Sequence, residues 1–222
     1  MKEKLLPISV LIGGGSRLPA ILEYEKRPDS LGKIILVVSH KKESPGIDLA
    51  TKEGIPAVYF NLVKWRNRTG KSREEYMDTL GFFVSQYDPK LIVLAGWDLV
   101  LDENFTKHFP NSTIINLHPA LLTESGTGEI TLPDGSKSPI FKGQIEEVLP
   151  EVLKTGVTYY GCTVHEIKPN SYDEGKIIIQ RVFKVEKGET IETLAKKLHK
   201  EEDLALVESI DKVLKNNSYS QL

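Results

Sequence analysis

The chain reads as an α/β protein with a Rossmann-like, doubly wound, mostly parallel sheet in a single domain. Three observations predict this: short continuous apolar runs, amphipathic segments alternating with them, and a glycine cluster directly after the first run. Unbroken apolar runs of about five residues are strands buried on both faces. Strands alternating with helices build parallel βαβ units that wind right-handed.

The apolar runs are Ile8–Ile12, Ile34–Val38, Ala57–Phe60, Leu91–Ala95 and Thr113–Leu117. Helices are expected between them over Leu18–Glu25, Ile47–Glu53, Ser72–Gln86 and Asp102–Phe109, and Ser72 with Glu75 three positions on has the spacing of a capping box. A doubly wound core of about 115 residues follows. From Thr123 to Ser138 the sequence is polar, glycine-bearing and without period, which in a compact protein is more often a lid or binding loop than a spacer. Beyond it we expect a helix over Pro139–Leu153 with proline near its first turn, strands Thr158–Glu166 and Lys176–Lys184, and a last helix from Thr190 to about Leu214. Residues 1–118 are thus expected to form a phosphate-binding βαβ core. Residues 119–222 of the same domain carry the loop, an acidic turn and the C-terminal helix.

Composition excludes several classes. With 29 basic and 31 acidic residues the net charge is −2, so no broad positive field favours nucleic acid or an anionic membrane. Cys162 is the single cysteine, which rules out an internal disulfide and fits a reducing compartment, the cytoplasm. The basic start Met1-Lys-Glu-Lys leads to an apolar run, Ile8–Ile12, that meets glycines instead of a cleavage site, and no run reaches the roughly 18 to 20 apolar residues of a membrane span. The histidines His40, His108 and His165 show no metal-ligand spacing, so no metal is expected.

The most informative stretch is Asn116-Leu117-His118-Pro119, where an apolar run ends at proline. Asn116 and His118, two apart on a strand, share a face, so a carboxamide donor and a titratable ring can converge on one carbonyl carbon, as acyl transfer requires. A histidine that is merely buried and satisfied is the competing reading. Gly13-Gly14-Gly15-Ser16-Arg17 lies between the first strand and first helix, where free N–H groups and the helix dipole favour a phosphate. The dinucleotide fingerprint is incomplete, since Leu18 takes the third glycine position and the second strand ends in Ser39-His40 without an acid. Asp173, in Tyr172-Asp173-Glu174-Gly175, is either an ordinary turn residue or the group that holds His118 protonated and oriented. Arg73 reads equally as a solvated first-turn residue, and His199 with Glu202 as an exposed i, i+3 helix pair.

Taken together these motifs resemble the folate-dependent formyltransferases over nearly the whole chain. Gly-Gly-Gly-Ser is similar to the family's phosphate loop, Ser72-Arg-Glu-Glu-Tyr76 to its Ser-Arg-Glu-x-Tyr, and Leu94-Ala-Gly-Trp97 to its Leu-Ala-Gly-aromatic strand end. Asn116-Leu-His118-Pro-Ala-Leu is the most specific match, followed by Gly161-Cys-Thr-Val-His165, Asp173-Glu-Gly and Glu201-Glu202. The resemblance implies a catalytic trio of Asn116, His118 and Asp173. It implies that Gly14, Gly15, Ser16 and Arg17 hold a substrate phosphate, Glu202 a ribose, and that Arg73, Trp97, Asp98, Leu99, Val100, Leu101 and Asn116 border the folate. The implied reaction moves a formyl group from 10-formyltetrahydrofolate to an amine, that of N1-(5-phospho-D-ribosyl)glycinamide in purine synthesis. The partners are then small molecules, with no nucleic acid and no membrane, and the protein a monomer or homodimer.

Four positions depart from the family pattern. Arg17 stands for an asparagine, Asp98 and Leu99 replace a hydrophobic-Arg pair, and the compact Leu-Leu-Pro-x-x-x-Gly after the histidine has become residues 123–138, with Leu132-Pro133-Asp134-Gly135 read as its displaced remnant. The same trio would serve a nucleotide-linked amino sugar, and a homologue that kept the fold without turnover would only bind ligand. The length leaves no room for the further domains of the methionyl-tRNA formyltransferases or the formyltetrahydrofolate deformylases.

Overall fold

Strand β1 (Leu6–Ile12) is buried from Ile8 to Ile12, as a mainly apolar, β-branched-rich run demands, and pairs in parallel on both sides. On one side lies β2 (Gly32–Ser39), itself parallel to β3 (Ala57–Tyr59); on the other, β4 (Leu91–Ala95) runs from Ile8↔Leu91 to Ile12↔Ala95. The structure, a computed structural model, describes residues 5–171 and 173–219. With β5 (Thr113–His118), β8 (Tyr159–Glu166) and β9 (Ile177–Lys184) the seven strands take the order β3-β2-β1-β4-β5-β8-β9, a mostly parallel sheet with flanking helices. The last pair, β8 and β9, is antiparallel.

Helices α1 (Leu18–Glu25), α2 (Pro45–Lys52), α4 (Arg73–Ser85) and α5 (Glu103–Thr106) connect the parallel strands. In α4 the capping box forms as expected: Ser72 accepts from the Glu75 N–H, and the Glu75 carboxylate accepts from the Ser72 N–H. Helix α3 (Leu62–Thr69) was not expected. Only Trp65 on it is buried, so it has no apolar period to read, and it owes its bounds to the Asn61 cap and the left-handed Gly70. The expected helix Asp102–Phe109 shrinks to the single turn α5: Asp102 caps its start, and past Thr106 the N–H groups of His108 and Phe109 donate only three residues back, to Phe105 and Thr106.

Two compact units divide the described residues. One comprises 5–115, 168–171 and 210–219; the other comprises 116–167 and 173–209. In the second, the loop expected over residues 123–138 is not aperiodic but contributes to a hairpin, β6 (Glu129–Thr131) with β7 (Lys137–Pro139), paired antiparallel. Pro139 therefore ends a strand, and the helix that follows, α6 (Ile145–Thr155), begins later than expected and carries Pro150 inside it. The terminal helix α7 (Ile191–Tyr219) runs five residues further than the sequence indicated.

Candidate active site

In the first unit the chain leaves β1 through Gly13-Gly14-Gly15-Ser16-Arg17. The Gly13 carbonyl accepts from Ser39 Oγ at 2.7 Å and Ser44 Oγ at 2.8 Å, and the Gly14 carbonyl from the Gly46 N–H at 3.0 Å. In planar trans peptides the next residue's N–H points opposite such a carbonyl, so the donors of Gly14 and Gly15 turn away from residues 39–46. They do so beside the start of α1, where partial positive charge collects, and the loop is thereby shaped for an anion. Gly15 sits at φ +88°, and a Cβ there would stand 2.6 Å from Gly46 Cα, so only glycine fits.

The predicted folate border, Asn116 apart, lies in the same unit. Arg73 is not merely solvated: Nη2 donates to the Val100 carbonyl at 2.6 Å and Nη1 reaches Asp102 Oδ2 at 3.4 Å. The Leu101 carbonyl accepts from the Asn170 N–H at 3.1 Å, while Leu99 and Val100 stay half-buried. Asp98, at a position that the family fills with an apolar residue, meets Lys41 Nζ at 3.2 Å and His40 Nε2 at 3.4 Å. The His40 ring stands edge-on to Trp97 at 4.9 Å between centroids, and burial lowers its pKa more than Asp98 restores it. Trp97 is itself buried, and among the described residues its indole N–H has no acceptor.

The second unit holds the trio. His118, buried at the end of β5, has Nδ1 3.0 Å from Asp173 Oδ1 and Nε2 3.1 Å from the Phe141 carbonyl. Both neighbours can only accept, so the ring that satisfies both carries a proton on each nitrogen. Burial raises the pKa of Asp173, yet the hydrogen bond and charge of His118 outweigh it and leave the carboxyl below its ordinary range. Tyr172, next to it, lies outside the described residues.

Past His118 the chain has left the ladder, and side chains satisfy its buried backbone. Tyr160 Oη donates to the Pro119 carbonyl, Thr163 Oγ1 to that of Ala120 at 2.8 Å, and Gln180 Nε2 to that of Leu122 at 2.7 Å. These contacts hold the strand exit that presents His118.

His165 is the residue that sequence reasoning missed. Its Nε2 is 3.3 Å from Asn116 Nδ2 and its Nδ1 is 3.0 Å from the Glu166 carbonyl. Burial lowers its pKa below the ordinary 6.5, the His118 ring adds to this, and the Glu166 carbonyl offsets only part. A neutral ring that must donate through Nδ1 has Nε2 left as acceptor, so Asn116 turns its NH2 edge to it. A histidine directly after the largely apolar stretch Tyr159–Val164 was the available signal. The Phe141 contact had none, because a backbone carbonyl carries no side-chain signature.

Glu202 is buried, not exposed, and pairs with His199 Nδ1 at 2.9 Å. The segment that reaches His118 is Pro139-Ile-Phe141-Lys-Gly143, which has the family's Pro-x-x-x-Gly spacing. Leu132–Gly135, expected to be the displaced remnant, instead makes the hairpin turn, with the Gly135 N–H donating to the Leu132 carbonyl at 2.9 Å. Among the described residues no cluster of three or more His, Cys, Asp or Glu could hold a metal ion, and no helix is long and apolar enough to cross a membrane.

Residues 7–210 match the formyl transferase family, and the chain belongs to that family. Among curated proteins it is 30% identical over 211 residues to a phosphoribosylglycinamide formyltransferase of Dictyostelium discoideum, covering 91% of this chain and 95% of that protein. It is also 31% identical to the trifunctional purine biosynthetic protein adenosine-3 of Bos taurus, over 89% of this chain but only 17% of that much longer protein. Among solved structures, glycinamide ribonucleotide transformylase 1 from Symbiobacterium toebii superposes with a TM-score of 0.79 at 28% identity, over 96% of this chain and 89% of that one.

Proposed function

We propose that the protein transfers the formyl group of 10-formyltetrahydrofolate to the amine of N1-(5-phospho-D-ribosyl)glycinamide, a step of purine (IMP) synthesis. The observation that carries this reading is the buried His118–Asp173 pair, 3.0 Å apart, at the end of the strand that also bears Asn116. Family membership and the names of the relatives support it.

In this reading the amine nitrogen attacks the formyl carbon, and the tetrahedral oxyanion meets donors already aimed at it, the Asn116 NH2 and an N–H of His118. Collapse breaks the bond to N10 of the folate, which takes a proton from His118, while the attacking amine gives one up. The net change is one proton moved from acceptor nitrogen to folate nitrogen. The Nε2–H that Phe141 accepts here passes to the ligand, which takes the place of that carbonyl. Asp173 balances the charge of the ring throughout. Gly14, Gly15, Ser16 and Arg17 hold the phosphate, Glu202 accepts from the ribose, and Arg73 with residues 97–101 borders the folate. The lone cysteine supports a reducing, cytoplasmic setting for this work.

The test mixes the protein with both substrates and follows the absorbance of the deformylated folate. Turnover that is abolished in a folded His118→Ala variant is the expected result. Wild-type-like turnover in that variant would sink the assignment of roles. Bound folate without turnover would shift the acceptor to another amine, such as a nucleotide-linked amino sugar, and no folate binding would make the protein a ligand-binding homologue.

A further inference from the structure

The residues that interrupt the family's loop after His118 are anchored to the turn that carries Asp173. The Glu124 carbonyl accepts from the Gly175 N–H at 3.0 Å, and Glu124 Oε1 from the Ile177 N–H at 3.4 Å. Gly126 lies so close to Asp173 that a Cβ on it would stand 2.7 Å from the Asp173 carbonyl oxygen. The anchor is itself stiff. The Gly126 N–H donates to the Thr123 carbonyl at 2.9 Å, and Thr123 Oγ1 donates to the Thr127 carbonyl at 2.7 Å while accepting from the Thr127 N–H at 3.2 Å. At the far end of the insert, Asp134 accepts from Ser136 Oγ at 2.6 Å and Thr158 Oγ1 at 2.5 Å, which ties the hairpin turn to the residue just before β8. Leu132 and Ser138 are buried beneath it.

We propose that the insert is a brace, in which Glu124 and Gly126 are positioning residues that hold the Asp173 carboxylate against His118. In this chain the orientation of the His118–Asp173 pair then depends on residues 123–127, through the bonds of Glu124 to Gly175 and Ile177 and the close approach of Gly126 to Asp173. The inference rests on the reading that this pair serves formyl transfer. A displacement of about 1 Å in such a pair costs roughly 100-fold in rate.

Two glycines make a matched test. Gly126 has φ +63° and Asp173 against it; Gly128 has φ +92°, and a Cβ on it would meet nothing within 4 Å. Gly126→Ala and Gly128→Ala both strain a positive-φ backbone, but only the first pushes on Asp173. Gly126→Ala is expected to lower kcat roughly 100-fold with KM for both substrates nearly unchanged, while Gly128→Ala keeps kcat near wild type. Equal kcat in the two variants, whether both high or both low, overturns the brace. Should Gly126→Ala fail to fold, Glu124→Ala is expected to lower kcat and Glu124→Gln, which keeps the acceptor, to restore it; no loss in Glu124→Ala overturns the proposal. In 15N spectra of histidine-labelled protein, the His118 Nδ1–H signal should change in Gly126→Ala and not in Gly128→Ala. That readout needs no turnover, so it decides the brace even if the protein formylates nothing, and an unaltered signal in Gly126→Ala refutes it.

Discussion

At the scale of residues, two histidines on neighbouring strands of one sheet meet opposite hydrogen-bonding demands from what surrounds them. His118 faces a carboxylate and a carbonyl, both acceptors, and is satisfied only as a double donor. His165 is buried against a carbonyl on one side and an amide NH2 on the other, and desolvation holds it neutral. The neutral ring in turn decides which edge of the Asn116 carboxamide it receives. His165→Ala is therefore expected to lower kcat by roughly 10- to 100-fold while leaving KM for the folate close to wild type, since the donor is freed to rotate but not removed. Steady-state kinetics of that variant check this, and an unchanged kcat would show that Asn116 holds its orientation without His165. Asn116 and His118 stood out in the sequence because their types and spacing carry chemistry, whereas Asp173 was singled out beside an ordinary turn reading only by the family resemblance. The contact between His118 and Asp173 was not legible, because 54 intervening residues say nothing about distance.

At the scale of elements, legibility followed period. Strands β1 and β4 and helix α1 read off directly, because each is an unbroken apolar run or an amphipathic turn between glycines and proline. Helix α3 did not, with a single buried residue and caps that act through geometry. The hairpin β6–β7 escaped for a related reason: two three-residue strands of mostly exposed polar side chains have no alternation to detect. Capping was readable where it uses a fixed four-residue spacing. Ser72→Ala removes the acceptor for the Glu75 N–H at 3.2 Å and half of the capping box of α4, and should cost about 1 kcal/mol in urea denaturation. A loss below a few tenths of a kcal/mol would mean that solvent replaces the cap without penalty.

At the scale of the molecule, buried titratable groups set how stability responds to acid. His165 and His40 both have pKa values lowered from 6.5, chiefly by burial. The unfolded chain takes up protons below pH 6.5 that the folded rings refuse, so their contribution is complete above that value and is lost as pH falls toward the folded values. Asp173, with a pKa below the ordinary 3.8, adds a second loss as pH falls through its own folded value. The urea midpoint should be level near neutrality, decline below about pH 6.5 and fall again under about pH 4. A His40→Gln, His165→Gln double variant should lack the first decline; if that decline persists, other groups cause it.

The chain by itself determined the alternation of strands and helices in the parallel core, the glycine turn after β1 and the residues proposed to react, because hydrophobic period, glycine placement and residue chemistry are local properties of sequence. Only the tertiary structure decided that Asp173 meets His118, that His165 lies against Asn116, that the Phe141 carbonyl sits on the His118 ring and that Glu124 is bonded to the turn at Gly175 and Ile177. Each of these is a contact between segments far apart along the chain, several of them through backbone atoms, and packing alone brings such atoms within hydrogen-bonding distance.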